Sequence, residues 1–141
     1  MARATLGKEI SCVAQDETGL LGRTIYALAQ KNIFIVHLAA HTEGDRGHLR
    51  LVVSSDDFSK TKKSLSAFIP QIEEREVLIV EFENKVGTLA EVAKVLGQNG
   101  ISVRSVFGTS SDGFKIVGVF STADNRKACA LINAAGGRPG F

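Results

Sequence analysis

Two short segments of this sequence hold residue types that suit a small zwitterion. Asp16-Glu17-Thr18-Gly19 and Asn84-Lys85-Val86-Gly87 each join an alternating apolar stretch to an apolar stripe at helical spacing. A glycine-containing turn from strand to helix presents backbone N–H groups at the positive end of the helix dipole, which suits a carboxylate. Asp16 adds an acid that can receive an ammonium. A ligand with both groups is a free amino acid. The competing reading is purely structural: Asp16 and Asn84 cap their helices, and the glycines satisfy a tight turn.

A second group consists of His37, His41 and His48. Side chains four apart on a strand share a face but lie roughly 13 Å from each other, so His37 and His41 cannot ligate one ion. His41 and His48 could approach across a hairpin, in a metal site shared between chains. The bland reading, surface or interface histidines, is preferred, and no metal site is assigned. No acid pair, nucleophile with a nearby base, or phosphate-binding glycine run has a fitting context, so no catalytic residue, enzyme activity or cofactor is expected.

The elements that must position these residues emerge from an internal repeat. A shift of 68 residues places Gly19 on Gly87, Leu21 on Leu89, Leu28 on Leu96, Gln30 on Gln98 and Ile33 on Ile101. Ile10, Cys12 and Ala14 alternate along a predicted strand, as do Leu78, Val80 and Phe82. Leu21, Thr24, Ile25 and Leu28 then follow helical spacing, matched by Leu89, Val92, Ala93 and Leu96. Each helix ends in a polar pair, Lys31-Asn32 or Asn99-Gly100, able to take a left-handed cap.

Strands are predicted next over Ile33 to Ala40 and Ile101 to Thr109, stopping at the hairpin signals Gly44-Asp45-Arg46-Gly47 and Ser110-Ser111-Asp112-Gly113. Leu49, Leu51 and Val53 continue one copy, Val117 and Val119 the other. Asp56 or Asp57 can cap a helix carrying Phe58, Thr61, Leu65, Phe68 and Ile69, ended by Pro70. Asp124 or Asn125 can cap one carrying Ala128, Leu131, Ile132 and Ala135, ended by Gly136-Gly137. Each copy therefore reads βαββα.

A final strand is available to the first copy in Gln71 to Phe82, whereas only Arg138-Pro139-Gly140-Phe141 follows the second. The repeat register aligns Arg3 to Gly7 with Gln71 to Arg75, so the N-terminal segment is the expected source of the missing strand. Both faces of Ile33 to Ala40 are apolar, as if covered on two sides, and an oligomer is expected.

Composition limits the partners. The 141 residues are 44% hydrophobic, with 17 Lys+Arg against 15 Asp+Glu, a balance too even to neutralise a run of phosphates. Lys60, Lys62 and Lys63 read as a solvated helix face. Phe114 and Phe120 lack the basic interleaving of an RNA-binding sheet. Cys12 and Cys129 read as small buried hydrophobes in a reducing cytosol. The apolar runs are far shorter than the roughly 20 residues of a membrane helix, so a cytoplasmic location is expected.

At Asp16-Glu17-Thr18-Gly19-Leu20-Leu21 with Ile33-Phe34-Ile35, and at Asn84-Lys85-Val86-Gly87-Thr88-Leu89 with Ile101-Ser102-Val103, the chain resembles ACT domains. These are ferredoxin-like regulatory modules that bind amino acids. Their signature runs from a strand through Asp-x-x-Gly-x-Leu into a helix, then a strand opening in Ile-Asn-Ile. The resemblance implies an α+β fold of two ferredoxin-like βαββαβ units, residues 1–70 and 71–141, side by side in one continuous antiparallel sheet of eight strands with helices on one face.

It also implies an effector at the interface between the two domains. Carried over by position, the ligand-binding candidates are Asp16, Thr18, Gly19, Leu20, Leu21, Asn84, Val86, Gly87, Thr88, Leu89 and Ser102. Phe34 and Ser102 stand where the family often has Asn, and Asn84-Lys85 replaces the acidic pair, so the two sites are expected to differ. The resulting expectation is a regulatory protein, a homo-oligomer (dimer), that binds a free amino acid and signals through a partner or a change of assembly. The alternative is a ligand-free interaction or oligomerisation module acting on an enzyme or transcription regulator.

Overall fold

Alternation of small and branched apolar residues with polar ones draws the N-terminal residues into one long strand, β1 (Arg3–Gln15). A computed structural model describes residues 2–110 and 112–136. After β1 come α1 (Leu20–Gln30), β2 (Ile35–Glu43), β3 (Arg46–Val53), a short 3-10 turn, α2 (Phe58–Ser66) and β4 (Gln71–Glu83). The pattern then repeats as α3 (Thr88–Gln98), β5 (Val103–Thr109), β6 (Lys115–Thr122) and α4 (Asn125–Ala135). Among the described residues there are six strands rather than eight, because β1 and β4 each run 13 residues without a break. No described helix is long and apolar enough to cross a membrane.

The chain divides into two compact units, Lys8–Arg75 and Met1–Gly7 with Glu76–Phe141. β1 and β4 therefore each contribute to both, and the units exchange short segments relative to the sequence repeats.

In the Lys8–Arg75 unit the strand order is β2-β3-β1. Antiparallel pairing sets Ile10 opposite Leu51, Cys12 opposite Leu49, and Leu38 and Ala40 opposite the same two leucines. Facing partners lie on one side of a sheet. That side is covered by α1 and α2, whose Leu28 and Leu65 are fully buried with Ile10 and Leu51. β2 and β3 are joined through Gly44 and Asp45, with Gly44 at φ 61° and Glu43 paired with Arg46. Arg46 and Gly47, predicted as turn, thus open β3. α2 stops at Ser66, short of Phe68 and Ile69, and the Ile69 N–H still bonds the Leu65 carbonyl at 2.8 Å.

In the other unit β4, β6 and β5 are neighbours in that order, with Leu78 opposite Phe120 and Phe82 opposite Ile116. α3 and α4 cover one face through Val92, Leu96, Ala128 and Ile132. The N-terminal segment joins this unit: Ala2 and Ala4 are buried in the same core. The Ala4 N–H donates to Asn133 Oδ1 at 2.7 Å, and Asn133 Nδ2 donates to the Ala4 carbonyl at 2.9 Å. Asp124 caps α4 by accepting from the Lys127 N–H at 3.0 Å. Gly136 follows as a right-handed C-cap at φ −60°. Ser111, Gly137 and the tail 138–141 lie outside the described residues.

Candidate functional site

β1 delivers Asp16 to the edge of a turn that must reverse direction within four residues before α1 begins. Gly19 makes that reversal at φ 86°, a left-handed conformation that costs other residues about 1–2 kcal/mol. It is the N-cap of α1 and has no side chain to satisfy the first-turn N–H groups, which have no acceptor within the helix. Neither Asp16 nor Asn84 caps a helix; the caps are Gly19 and Gly87. The Leu20 N–H donates to the Glu17 carbonyl at 3.2 Å, and the helix start remains electropositive, which favours an anion.

The Asp16 N–H donates to the Asp45 carbonyl at 2.8 Å, tying this turn to the β2–β3 hairpin. Among the described residues, its carboxylate has no hydrogen-bond or ion-pair partner. Glu17, by contrast, is engaged by Arg23 Nη2 at 2.6 Å. Between turn, helix and hairpin lies a cavity of about 280 Å³. Cys12, Ala14, Leu20, Leu49 and Ile69 supply apolar lining, and Asp16, Glu17, Thr24 and Thr42 polar lining. Burial pushes the Cys12 thiol up to about 11, so it stays protonated and contributes an apolar wall. Gly47 keeps the space beside Asp16 open: a Cβ there would sit 3.6 Å from Leu20 Cδ2 and 3.9 Å from Asp16 Oδ1.

The turn of the other unit has the same backbone and different chemistry. Gly87 takes φ 97°. Asn84 Nδ2 donates to the Gly113 carbonyl at 3.0 Å, and the Asn84 N–H to the Phe114 carbonyl at 2.7 Å. The Thr88 hydroxyl bonds the Glu83 and Lys85 carbonyls at 2.7 and 2.9 Å. Lys85 pairs with Glu83 at 2.7 Å. Val86 is fully exposed and Leu89 half exposed. The polar groups of this turn are thus committed to its own backbone and hairpin.

Of the residues singled out in the sequence, Asp16, Gly19, Leu20 and Leu21 come together on the cavity, joined by His41 and His48 of the histidine group. Thr18 is exposed and outside its lining. Asn84, Val86, Gly87, Thr88 and Leu89 surround the equivalent turn and take no part in it. Ser102 is exposed just before β5, its carbonyl accepting from the Ala123 N–H at 2.9 Å. Sequence reasoning misses Thr42, Gly47 and Ile69, which reach the cavity only through strand pairing and the chain beyond α2.

With this geometry in place, comparison with known families finds a likeness for part of the chain. Residues 77–128 match the ACT domain family. This stretch is similar to an ACT domain. It takes in most of β4, then α3, β5, β6 and the start of α4. No curated protein matches the sequence.

Solved structures extend the likeness of the fold from the ACT domain to nearly the whole chain. A protein from Bacteroides thetaiotaomicron is 22% identical with a TM-score of 0.84, covering 94% of this chain and 90% of that one. The ligand-free regulatory subunit of aspartate kinase from Thermus thermophilus is 15% identical, with a TM-score of 0.70 and 95% of each chain covered. An aspartate kinase from Clostridium acetobutylicum, described as allosteric, is 15% identical with a TM-score of 0.63; the match covers 94% of this chain and 34% of the kinase.

Proposed function

We propose that this protein is a regulatory module that binds a free amino acid at the junction of β1 and α1. The observation carrying this reading is the cavity beside Asp16 and Gly19. A carboxylate placed at the start of α1 meets first-turn N–H groups and the helix dipole. An ammonium placed at the Asp16 carboxylate gains a charge-assisted hydrogen bond. The side chain of the ligand then faces Cys12, Leu20, Leu49 and Ile69. At about 280 Å³ the space suits a small metabolite rather than a nucleotide. The ACT domain at 77–128 and the regulatory aspartate kinase neighbours support the same class of role.

On this reading residues 1–70 and 71–141 are two ACT-like domains of unequal binding capacity. Output passes through a partner or a change of assembly. A second copy of the chain is the partner we assign to the outer strand β2 and the residue before it, where Phe34, Val36 and Leu38 are exposed at 74, 44 and 43%. The same apolar edge favours the alternative of an interaction module without a ligand.

A thermal-shift screen against single amino acids separates the two. Ligand at 100 times its Kd stabilises the native state by about 2.7 kcal/mol, enough to raise Tm by several degrees. One responding amino acid supports the sensor and names its effector. A flat panel, with assembly lost on Phe34→Asp by light scattering, supports the interaction module.

A further inference from the structure

The rings of His41 and His48 stand directly opposite each other in the β2–β3 ladder. They are stacked, with centroids 4.8 Å apart and planes within 4° of parallel. Glu43 lies two residues beyond His41 on β2, so it projects from the same face. Its Oε2 is 3.9 Å from His48 Nε2. One donor atom from each of the three residues lies within 4.8 Å of the other two. The strand register places this trio on the face opposite Leu38, Ala40 and Leu49, with His41 and His48 also bordering the cavity beside Asp16.

We propose that His41, Glu43 and His48 form a binding site for a divalent transition-metal ion, with zinc as its representative. Zinc holds imidazole nitrogen at about 2.0–2.1 Å and carboxylate oxygen at about 2.0–2.2 Å, which in a tetrahedral shell puts donors about 3.4 Å from one another. The donors, within 4.8 Å of one another, need to close by up to about 1.4 Å. Rotation of the side chains, the stacked rings included, achieves this, and there is room for it because Glu43 is 79% exposed and His41 is also exposed.

The backbone supplies the preorganisation. A directly facing cross-strand pair sets two Cβ atoms about 4.5–5.5 Å apart, and the rings, stacked in the structure, must turn out of parallel for their in-plane nitrogens to converge on one ion. Two neutral imidazoles with one carboxylate form a donor set for zinc, nickel or copper, whereas calcium and magnesium require oxygen shells. Arg46 stands opposite Glu43, and its charge further disfavours ions held by carboxylate attraction alone. Three protein ligands leave a coordination position for water or for a donor from elsewhere.

The test is titration of tag-free protein with Zn²⁺ by calorimetry and with Co²⁺ by visible absorption. One equivalent per chain is expected, with the visible bands of a low-symmetry cobalt complex. His41→Ala and His48→Ala should each weaken uptake by about tenfold or more, and Glu43→Gln by less. His37→Gln, on the same strand but out of reach, should leave it unchanged. Far-UV circular dichroism checks that each variant is folded, and His41→Gln and His48→Gln replace any alanine variant that is not. Absence of stoichiometric uptake, or uptake that survives both histidine substitutions, overturns the proposal.

Discussion

Glu9 and Arg50 meet across β1 and β3 in a two-pronged contact, Arg50 Nε to Glu9 Oε1 at 2.7 Å and Nη2 to Oε2 at 2.8 Å. The Glu9 side chain is fully buried and that of Arg50 only 16% exposed. Removing one partner leaves an uncompensated charge out of water, at a cost of about 3–5 kcal/mol. Glu9→Ala and Arg50→Ala are each expected to lower the unfolding free energy in urea by about that amount. The double replacement Glu9→Met with Arg50→Leu should recover most of the loss, because neither charge then remains. Near-neutral single variants would show that the pair is solvated.

Asp16→Ala should reduce effector affinity more than Asn84→Ala does. An acid facing an ammonium forms the stronger contact, and the Asn84 amide is already spent on the Gly113 carbonyl. Calorimetry with the amino acid found in the thermal-shift screen measures both. An equal or reversed order removes Asp16 from the role assigned to it.

Gly19 and Gly22 lie three residues apart with no heavy atom within 4 Å of a built Cβ at either, yet only Gly19 has a positive φ. Gly19→Ala is expected to destabilise by about 1–2 kcal/mol through backbone strain. Gly22→Ala, inside α1, should stabilise by about 0.5–1 kcal/mol through the helix preference of alanine. Opposite shifts in Tm check the pair. Movement in the same direction would contradict the left-handed turn before α1.

Desolvation lowers the pKa of His37 below its ordinary 6.5. The unfolded chain therefore binds a proton at this residue before the folded chain does. Stability gained from a neutral His37 is present above pH 6.5 and declines as pH falls from 6.5 through the lower folded value. His37→Gln should thus lose less stability between pH 7 and pH 5 than the unsubstituted protein, as measured by urea midpoints. An identical decline would place the titration elsewhere.

Much of the strand-turn-helix order is legible because local chemistry dictates it. Asn32 and Gly100, 68 residues apart, both adopt the left-handed cap expected of them, at φ 56° and 70°. Asp124 caps α4 as its position suggests, while Asp57 makes no side-chain cap bond and its carboxylate lies 3.4 Å from Lys60 Nζ instead. The apolar character of Ile33 to Ala40 on both faces has a further physical cause. A register shift between Ile35 and His37 exchanges the faces, bringing Leu38 and Ala40 round to the side of Leu51 and Leu49. The corresponding shift in β5 falls between Val103 and Ser105. Alternation cannot reveal such a bulge, nor can it place Thr42, Gly47 and Ile69 around Asp16. Those contacts depend on pairings distant in sequence.

The bonds between Ala4 and Asn133 have a consequence for synthesis. They join residues 129 positions apart. At about 5–20 residues per second, translation needs about 6–26 s to bring Asn133 out after Ala4. Throughout that interval Ala2 and Ala4 are without the α4 that buries them, whereas every residue of the Lys8–Arg75 unit has long since been made. One unit is thus ready to fold during elongation, and the other closes only once Asn133 has followed, on a segment made before the first unit.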